Sequence, residues 1–298
     1  MAQITAADVK KLREMSGAGM MDCKKALAET DGNLDAAVDY LRKKGLAAAS
    51  KKAGRIAAEG VVLAKAAEKA AVVIEVNSET DFVSKNEKFT DFVDALADLV
   101  LAKRPTDVAA LNALSFNAEH TVEQALAQLI ATIGENMSIR RFEVVEVASG
   151  AVAAYVHGAG KIGVLVAIEG DSSDALSEFA RGVCMHVAAV NPQFIGREDV
   201  SEEAVERERA VLSERAVASG KPEAIVDKIV AGQLSKFYSE VCLLEQGYVL
   251  DTDLTVGKAL TKIQSDAKVS GVVRFQLGEG IEKKEEDFAA EVAAQVNG

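Results

Sequence analysis

The sequence has no tryptophan and only three prolines, three histidines and three cysteines in 298 residues, and it has fewer basic than acidic side chains, 34 against 46. Each shortage removes a class of protein. Cys23, Cys184 and Cys242 form no C-x-x-C pair and leave one over in any pairing, so a reducing compartment and buried, thiol-inert roles are expected. Three histidines are too few for a metal cluster. Cys184 and His186, two apart on an expected helix, face different sides and cannot share an ion locally. A formal charge of −12 leaves no dominant basic face for a phosphate backbone, so no direct nucleic-acid binding is expected and the partner is expected to be a protein. No apolar run approaches the roughly 18 residues of a membrane span. The opening MAQITAADVKKLRE lacks the apolar core of a signal peptide and the Arg-rich character of a transit peptide, so a cytoplasmic location is expected. No pair of carboxylates reads as acid/base machinery. Catalysis is not excluded by this but has no positive support, and no catalytic residue, cofactor or metal is assigned.

What is present is a hydrophobic fraction of 49%, sufficient for two or three domains with their own cores. Residues 1–45 read as three short helices. The first carries Val9, Leu12 and Arg13 at helical spacing and breaks at Gly17 and Gly19; the second spans about 22–30; the third follows Asn33 as N-cap, repeats Leu34, Ala37, Val38 and Leu41, and stops at Gly45. A linker, helical in part, covers 46–59. Residues 60–148 open with a β-hairpin around AAEK, its second strand about 71–77. A helix with Phe89, Phe92, Val93, Leu96 and Val100 on one face follows, then a second whose Thr121 and Gln124 form a capping box. The same order returns in 149–280: a hairpin over 150–170, then a helix through Leu176, Phe179, Val183 and Val187. Two hairpin-plus-helix units about 90 residues apart suggest a duplicated αβ module. Within the second block, 200–238 carries thin apolar stripes, Val205, Leu212 and Ala216 then Val226, Val230, Leu234 and Phe237, on charged helices separated by Gly220 and Pro222. That pattern fits a protruding antiparallel helical hairpin. A strand over about 271–280 ends the second block, and a C-terminal module at 281–298, with a short helix around 288–292, closes the chain. The fold class is α+β.

Two short motifs need weighing. Gly158, Gly160 and Gly163 match G-x-G-x-x-G, yet the next residues, VLVAIE, read as a strand, whereas a dinucleotide site needs those glycines to open a helix. The match reads as a hairpin turn, with His157 at its tip and accessible. The tetrapeptide TDFV occurs at 80–83 and again at 90–93. Phe92 has Phe89, Ala95 and Leu96 at helical neighbour positions and reads as core. Phe82 has Glu79, Lys85 and Asn86 there, so its own helix offers it no apolar company. Thr80 is expected to cap that helix and Asp81 to lie in its first turn. An aromatic beside a carboxylate where a strand meets a helix is a candidate interface anchor.

The stretches EVNSETDFVSK (75–85) and LREMSGAGMMDCKKAL (12–27) resemble the signatures of the bacterial elongation factor Ts family, and the resemblance extends along the whole chain. Ser16 departs from the threonine usual there. The resemblance implies a ubiquitin-associated-like N-terminal bundle, a core of twin αβ subdomains, a protruding coiled coil and a C-terminal module. It also implies guanine-nucleotide exchange on elongation factor Tu, with Thr80, Asp81, Phe82 and Val83 displacing magnesium from that partner's nucleotide site. Asp81 and Phe82 are implied to enter between two helices of the partner, His157 to lie near the same contact, and Arg13, Met20, Met21 and Lys24 to face its GTPase domain. TVGKAL and the closing helix are implied to dock elsewhere on that domain. Two other readings compete: a nucleotide-dependent enzyme built on GAGKIG, and a scaffold that holds partners through its N-terminal bundle.

Overall fold

The computed structural model describes residues 4–219 and 222–282. The expected break at Gly220 and the expected helix near 288–292 lie outside the described residues. The chain divides into two compact units, one formed by residues 4–63, 74–142 and 276–282, the other by 64–73 and 143–275.

The first unit begins with α1 (Ala6–Ser16), α2 (Met20–Glu29) and α3 (Leu34–Lys52). Thr5 and Asp8 cap α1 reciprocally, left-handed Gly17 ends it, and the Asn33 side chain accepts from the Ala36 N–H at the start of α3. Val9, Leu12, Cys23, Ala26, Leu27, Ala37 and Leu41 close a small core. The next elements along the chain are β1 (Glu59–Ala66), β2 (Ala70–Ser78), α4 (Glu87–Lys103), α5 (Val108–Ala113), α6 (Val122–Ile133) and β3 (Met137–Glu146), with strand order β1-β2-β3; residues 64–66 of β1, 70–73 of β2 and 143–146 of β3 belong to the second unit. Thr121 and Gln124 form the anticipated capping box of α6, and Phe89, Phe92, Val93, Leu96 and Val100 of α4 are all buried.

One boundary differs from expectation. Helix α3 does not stop at Gly45 but continues to Lys52, so the first seven residues of the expected linker are its last two turns. Gly45 is buried, and a Cβ built there would already touch the Gln128 side chain at 3.5 Å and the Ala127 carbonyl at 3.7 Å, both on α6. Those are ordinary van der Waals distances, so Gly45 lies within the α3–α6 contact without being required there, and the packing of α3 on α6 carries the helix past its low propensity.

The second unit contains β4 (Gly150–His157), β5 (Ile162–Glu169), α7 (Asp174–Val190), α8 (Glu202–Ala218), α9 (Glu223–Val241), β6 (Gly247–Tyr248), β7 (Asp251–Thr255), α10 (Val256–Ile263) and β8 (Lys268–Gln276). Strand β5 is central in the order β4-β5-β8 and is antiparallel to β4 from Gly150↔Glu169 to His157↔Ile162. Leu176, Phe179, Val183 and Val187 of α7 pack on this sheet with Val164, Val166 and Ile168. The stretch TVGKAL forms the start of α10, capped by Thr255. Helices α8 and α9 share a narrow seam of Leu212, Ala216, Val226, Val230 and Leu234, flanked by Val205 and Phe237, the residues of the two expected stripes.

The two sheets follow one plan: a hairpin, a helix after its second strand, and a later strand added beside that second strand. A glycine stands at the matching place in both hairpins. Gly60 (φ 119°) and Gly150 (φ 129°) sit at the start of β1 and β4, where an added Cβ would fall 2.2 Å from the Val76 carbonyl oxygen and 2.0 Å from that of Ile168. No other residue tolerates both the backbone angle and that approach.

The described part of the first unit's tail is fastened by one buried charge. Glu75 on β2 has no exposed surface; its Oε1 accepts from Arg140 Nη1 (2.9 Å) and the Gly278 N–H (2.8 Å), and its Oε2 accepts from Arg141 Nε (2.7 Å). Arg141 Nη2 also meets the Gln276 carbonyl and the Glu279 carboxylate, each at 3.3 Å. Burial opposes ionisation of Glu75, yet the Gly278 N–H and the two guanidiniums outweigh it and hold the carboxyl below its ordinary value. A carboxyl depressed in the folded state stabilises above its unfolded pKa, and that contribution is lost as pH falls through the folded value. Urea unfolding of the wild type should therefore weaken below about pH 5, and more steeply than that of Glu75→Gln, which should itself cost about 3–5 kcal/mol at neutral pH by leaving two arginines facing no buried charge. The Phe92 ring is 5% exposed and lies 5.2 Å from that of Phe116; Phe92→Ala should lower the unfolding free energy by about 3–5 kcal/mol in the same assay.

Candidate functional site

Strand β2 ends in polar groups that an interior strand seldom carries. Glu75, Asn77 and Ser78 are all buried. The Asn77 amide donates to the Glu59 carbonyl and to Glu75 Oε1, each at 3.2 Å, and the Ser78 hydroxyl donates to the Thr80 carbonyl at 2.9 Å. Such groups are tolerated inside because they are hydrogen-bonded; the Asn77 Oδ1 is the exception, buried without a hydrogen-bond partner.

From Glu79 the chain leaves the sheet and is clamped. The Thr80 N–H donates to Glu135 Oε2 at 2.9 Å and the Thr80 hydroxyl to Glu135 Oε1 at 2.8 Å, so one carboxylate takes both donors of one residue. Glu79 Oε1 accepts from the Asn136 N–H and pairs with Arg55 at 3.3 Å, while the Asn136 amide donates to the Arg55 carbonyl at 2.7 Å. On the far side, a single 3-10 turn, Val83–Lys85, closes through Lys85 N–H to the Phe82 carbonyl (3.2 Å) and Asn86 N–H to the Val83 carbonyl (2.9 Å). The Ser84 hydroxyl adds a 2.6 Å bond to the Asp81 carbonyl.

The result is a loop fixed at both ends with its middle outward. Val83 is buried and anchors it, Asp81 is exposed, and Phe82 is 78% exposed, against 5% for its counterpart Phe92. An aromatic left in water forgoes about 1.5–3 kcal/mol of burial. The two TDFV copies are thus opposite in environment, as their neighbours imply. One expectation is corrected: Thr80 caps no helix and Asp81 lies in no helical first turn. Helix α4 starts at Glu87 behind Asn86, whose side chain accepts from the Lys88 N–H, and the donors of Thr80 are engaged by Glu135 instead. The α4 dipole therefore begins six residues beyond Asp81.

The other candidate residues fall in two further places. Arg13, Met20, Met21 and Lys24 come together on the exposed faces of α1 and α2, where with Ile4 and Val9 they line a groove of about 560 Å³ that is mostly apolar and carries basic side chains. His157, in the second unit, is the exposed last residue of β4, its Nδ1 3.0 Å from the Tyr155 hydroxyl. The turn after it places Gly158, Ala159 and Gly160 at positive φ and leads directly into β5. Those glycines open a strand and no helix, which removes the geometric basis of a dinucleotide site.

Cys184 and His186 are core residues. Burial pushes the Cys184 thiol up to about 12. Burial lowers the His186 pKa, the Gln246 hydrogen bond (2.9 Å) opposing it. Among the described residues no group of three or more His, Cys, Asp or Glu is placed to hold a metal ion.

Sequence reasoning missed Arg55, Glu135 and Asn136, which lie far along the chain from Thr80. One signal for Glu135 was readable. It directly follows Gly134, the left-handed C-cap of α6, where a carboxylate opposes the helix dipole and calls for another reason to be there.

These features define the class: a mixed α/β protein with ten α-helices among the described residues and small sheets, which holds an aromatic outward on a doubly fastened loop. The family model described as Elongation factor TS matches residues 79–279. Proteins named Elongation factor Ts are similar over nearly full length: that of Syntrophotalea carbinolica is 52% identical, covering 98% of this chain and 99% of its own, that of Magnetococcus marinus 53% identical, covering 99% of each, and that of Rhodospirillum rubrum 54% identical, again covering 99% of each. The chain belongs to the elongation factor Ts family, a family of translation elongation factors.

Because all three cysteines are buried and unpaired, native protein at about pH 8 should react with much less than one equivalent of an aromatic disulfide reagent within minutes, and denatured protein with all three thiols. Absorbance of the released thiolate measures both.

Proposed function

We propose that this chain is a guanine-nucleotide exchange factor of translation: it binds elongation factor Tu carrying GDP, displaces magnesium and GDP, and lets GTP rebind. The observation that carries this reading is the exposure of Phe82 on a clamped loop in a member of the elongation factor Ts family. In this reading the chain makes and breaks no covalent bond and takes no cofactor, its partner is the GTPase, and it acts in the cytoplasm. The charge of −12 supports a protein partner over direct contact with nucleic acid. No described helix is long and apolar enough to cross a membrane.

The mechanism is linkage. A GTPase holds its nucleotide through phosphate contacts and a magnesium ion that offsets phosphate charge. A protein that binds the empty form more tightly than the loaded form weakens nucleotide affinity by the same factor. Phe82 supplies the difference if it fills an apolar pocket that exists only once the magnesium-holding segment has moved. Asp81, beside it and also exposed, hydrogen-bonds or repels at the vacated position. Thr80 and Val83 belong to the same element through their inward contacts. The groove lined by Arg13, Met20, Met21 and Lys24, and the exposed His157, supply further contact with the same partner.

The test is stimulated release of a fluorescent GDP analogue from elongation factor Tu. Wild-type protein should accelerate release. Phe82→Ala should lower the acceleration at least about tenfold, the scale of losing one aromatic hot spot, while leaving the thermal midpoint within a degree or so of wild type. Binding with no change in release would support the scaffold reading, and tight binding of a dinucleotide by this chain alone would support the enzyme.

A further inference from the structure

The bond geometry around Thr80 points to a role for a residue outside the loop. We infer that Glu135 is the positioning residue of the Phe82 wedge, setting its conformation before any partner arrives; the inference rests on the exchange reading above. One carboxylate satisfies both the N–H and the hydroxyl of Thr80, at 2.9 and 2.8 Å. Those two bonds fix the residue two positions before Phe82. The Ser78 hydroxyl holds the Thr80 carbonyl at 2.9 Å, so all three polar groups of Thr80 are engaged. Neighbouring Asn136 ties the same corner to Arg55 and Glu79. The loop's other end is closed by its own 3-10 turn and by buried Val83. Between the two fastenings only Asp81 and Phe82 are exposed.

An exposed aromatic on a slack loop spends part of its contact energy on becoming ordered when it docks, and a loop ordered in advance does not. Glu135 is therefore expected to act on how readily the wedge engages, and less on what it does once engaged, since the occupied pocket orders the ring itself. The bonds of Glu135 go to Thr80, and it acts on Phe82 through that residue.

The experiment compares wild type, Glu135→Ala, Glu135→Gln, Thr80→Val and the double variant Glu135→Ala/Thr80→Val in stimulated GDP release from elongation factor Tu, titrated to saturation, alongside amide hydrogen exchange of the free proteins. Glu135→Ala should raise the half-saturating concentration about tenfold with the plateau rate within about twofold, the size expected for releasing charge-assisted bonds that order a loop. Exchange should quicken at residues 80–85 and stay unchanged at 72–76 of β2. Glu135→Gln keeps one acceptor and should lie between, and the double variant should be no worse than Glu135→Ala, because both changes break one contact. The inference is overturned if Glu135→Ala leaves the half-saturating concentration within twofold, if the two substitutions add fully, or if exchange quickens equally in β2, which marks a general structural loss. Should wild type itself fail to accelerate release, the exchange reading falls and the wedge with it. Wild-type acceleration that Phe82→Ala removes and Glu135→Ala leaves intact sinks the Glu135 assignment alone.

Discussion

A single carboxylate organises the first unit. Glu75 lies inside a strand buried along its whole length, and it is ionised there because Arg140, Arg141 and the Gly278 N–H surround it. Its partners come from β3 and from the segment after β8, so the middle strand, the edge strand and the described tail share one electrostatic centre. An unpaired charge in that position is costly enough to fix how these segments meet. The loop carrying Phe82 begins only four residues later, on a strand that this arrangement keeps from shifting.

Rigidity beneath and exposure above are joined in that loop. The hydrophobic effect pulls Val83 inward, and the hydrogen bonds of Thr80 prevent the next residues from following it. A flexible loop would let Phe82 fold onto the nearest apolar surface. The sequence around it supplies none at helical spacing, and the backbone is held so that the ring points away. An exposed aromatic is informative when its surroundings are so ordered, whereas a scattered one is ordinary.

Much of this was legible in the chain itself. Periodicity alone placed Phe89, Phe92, Val93, Leu96 and Val100 in a core and separated Phe92 from Phe82, because helical neighbours are fixed by 3.6-residue geometry and nothing else is needed. Caps at Asn33 and Thr121 were local and were read correctly. The failures share one cause, contact between residues distant in sequence. Gly45 reads as a stop until α6 is known to lie against it, and Thr80 reads as a cap until Glu135 is seen to occupy its donors. Strand β3, whose residues show no clean alternation, was not anticipated either, and its Arg140 and Arg141 acquire meaning only beside Glu75. Of the candidate site, the exposed aromatic was readable and its support was not.

Glu135 sits two residues past the end of α6, directly after its C-cap Gly134, and that carries a consequence for how the family can vary. A helix turns about 100° per residue, so adding or removing one residue anywhere in α6 swings its end around the axis and carries the carboxylate away from Thr80. The twelve-residue length of α6 is therefore part of the loop's specification. Among relatives, insertions and deletions should accumulate upstream of α6, where 104–120 holds one short helix and irregular chain, while the count from Thr121 to Glu135 stays constant.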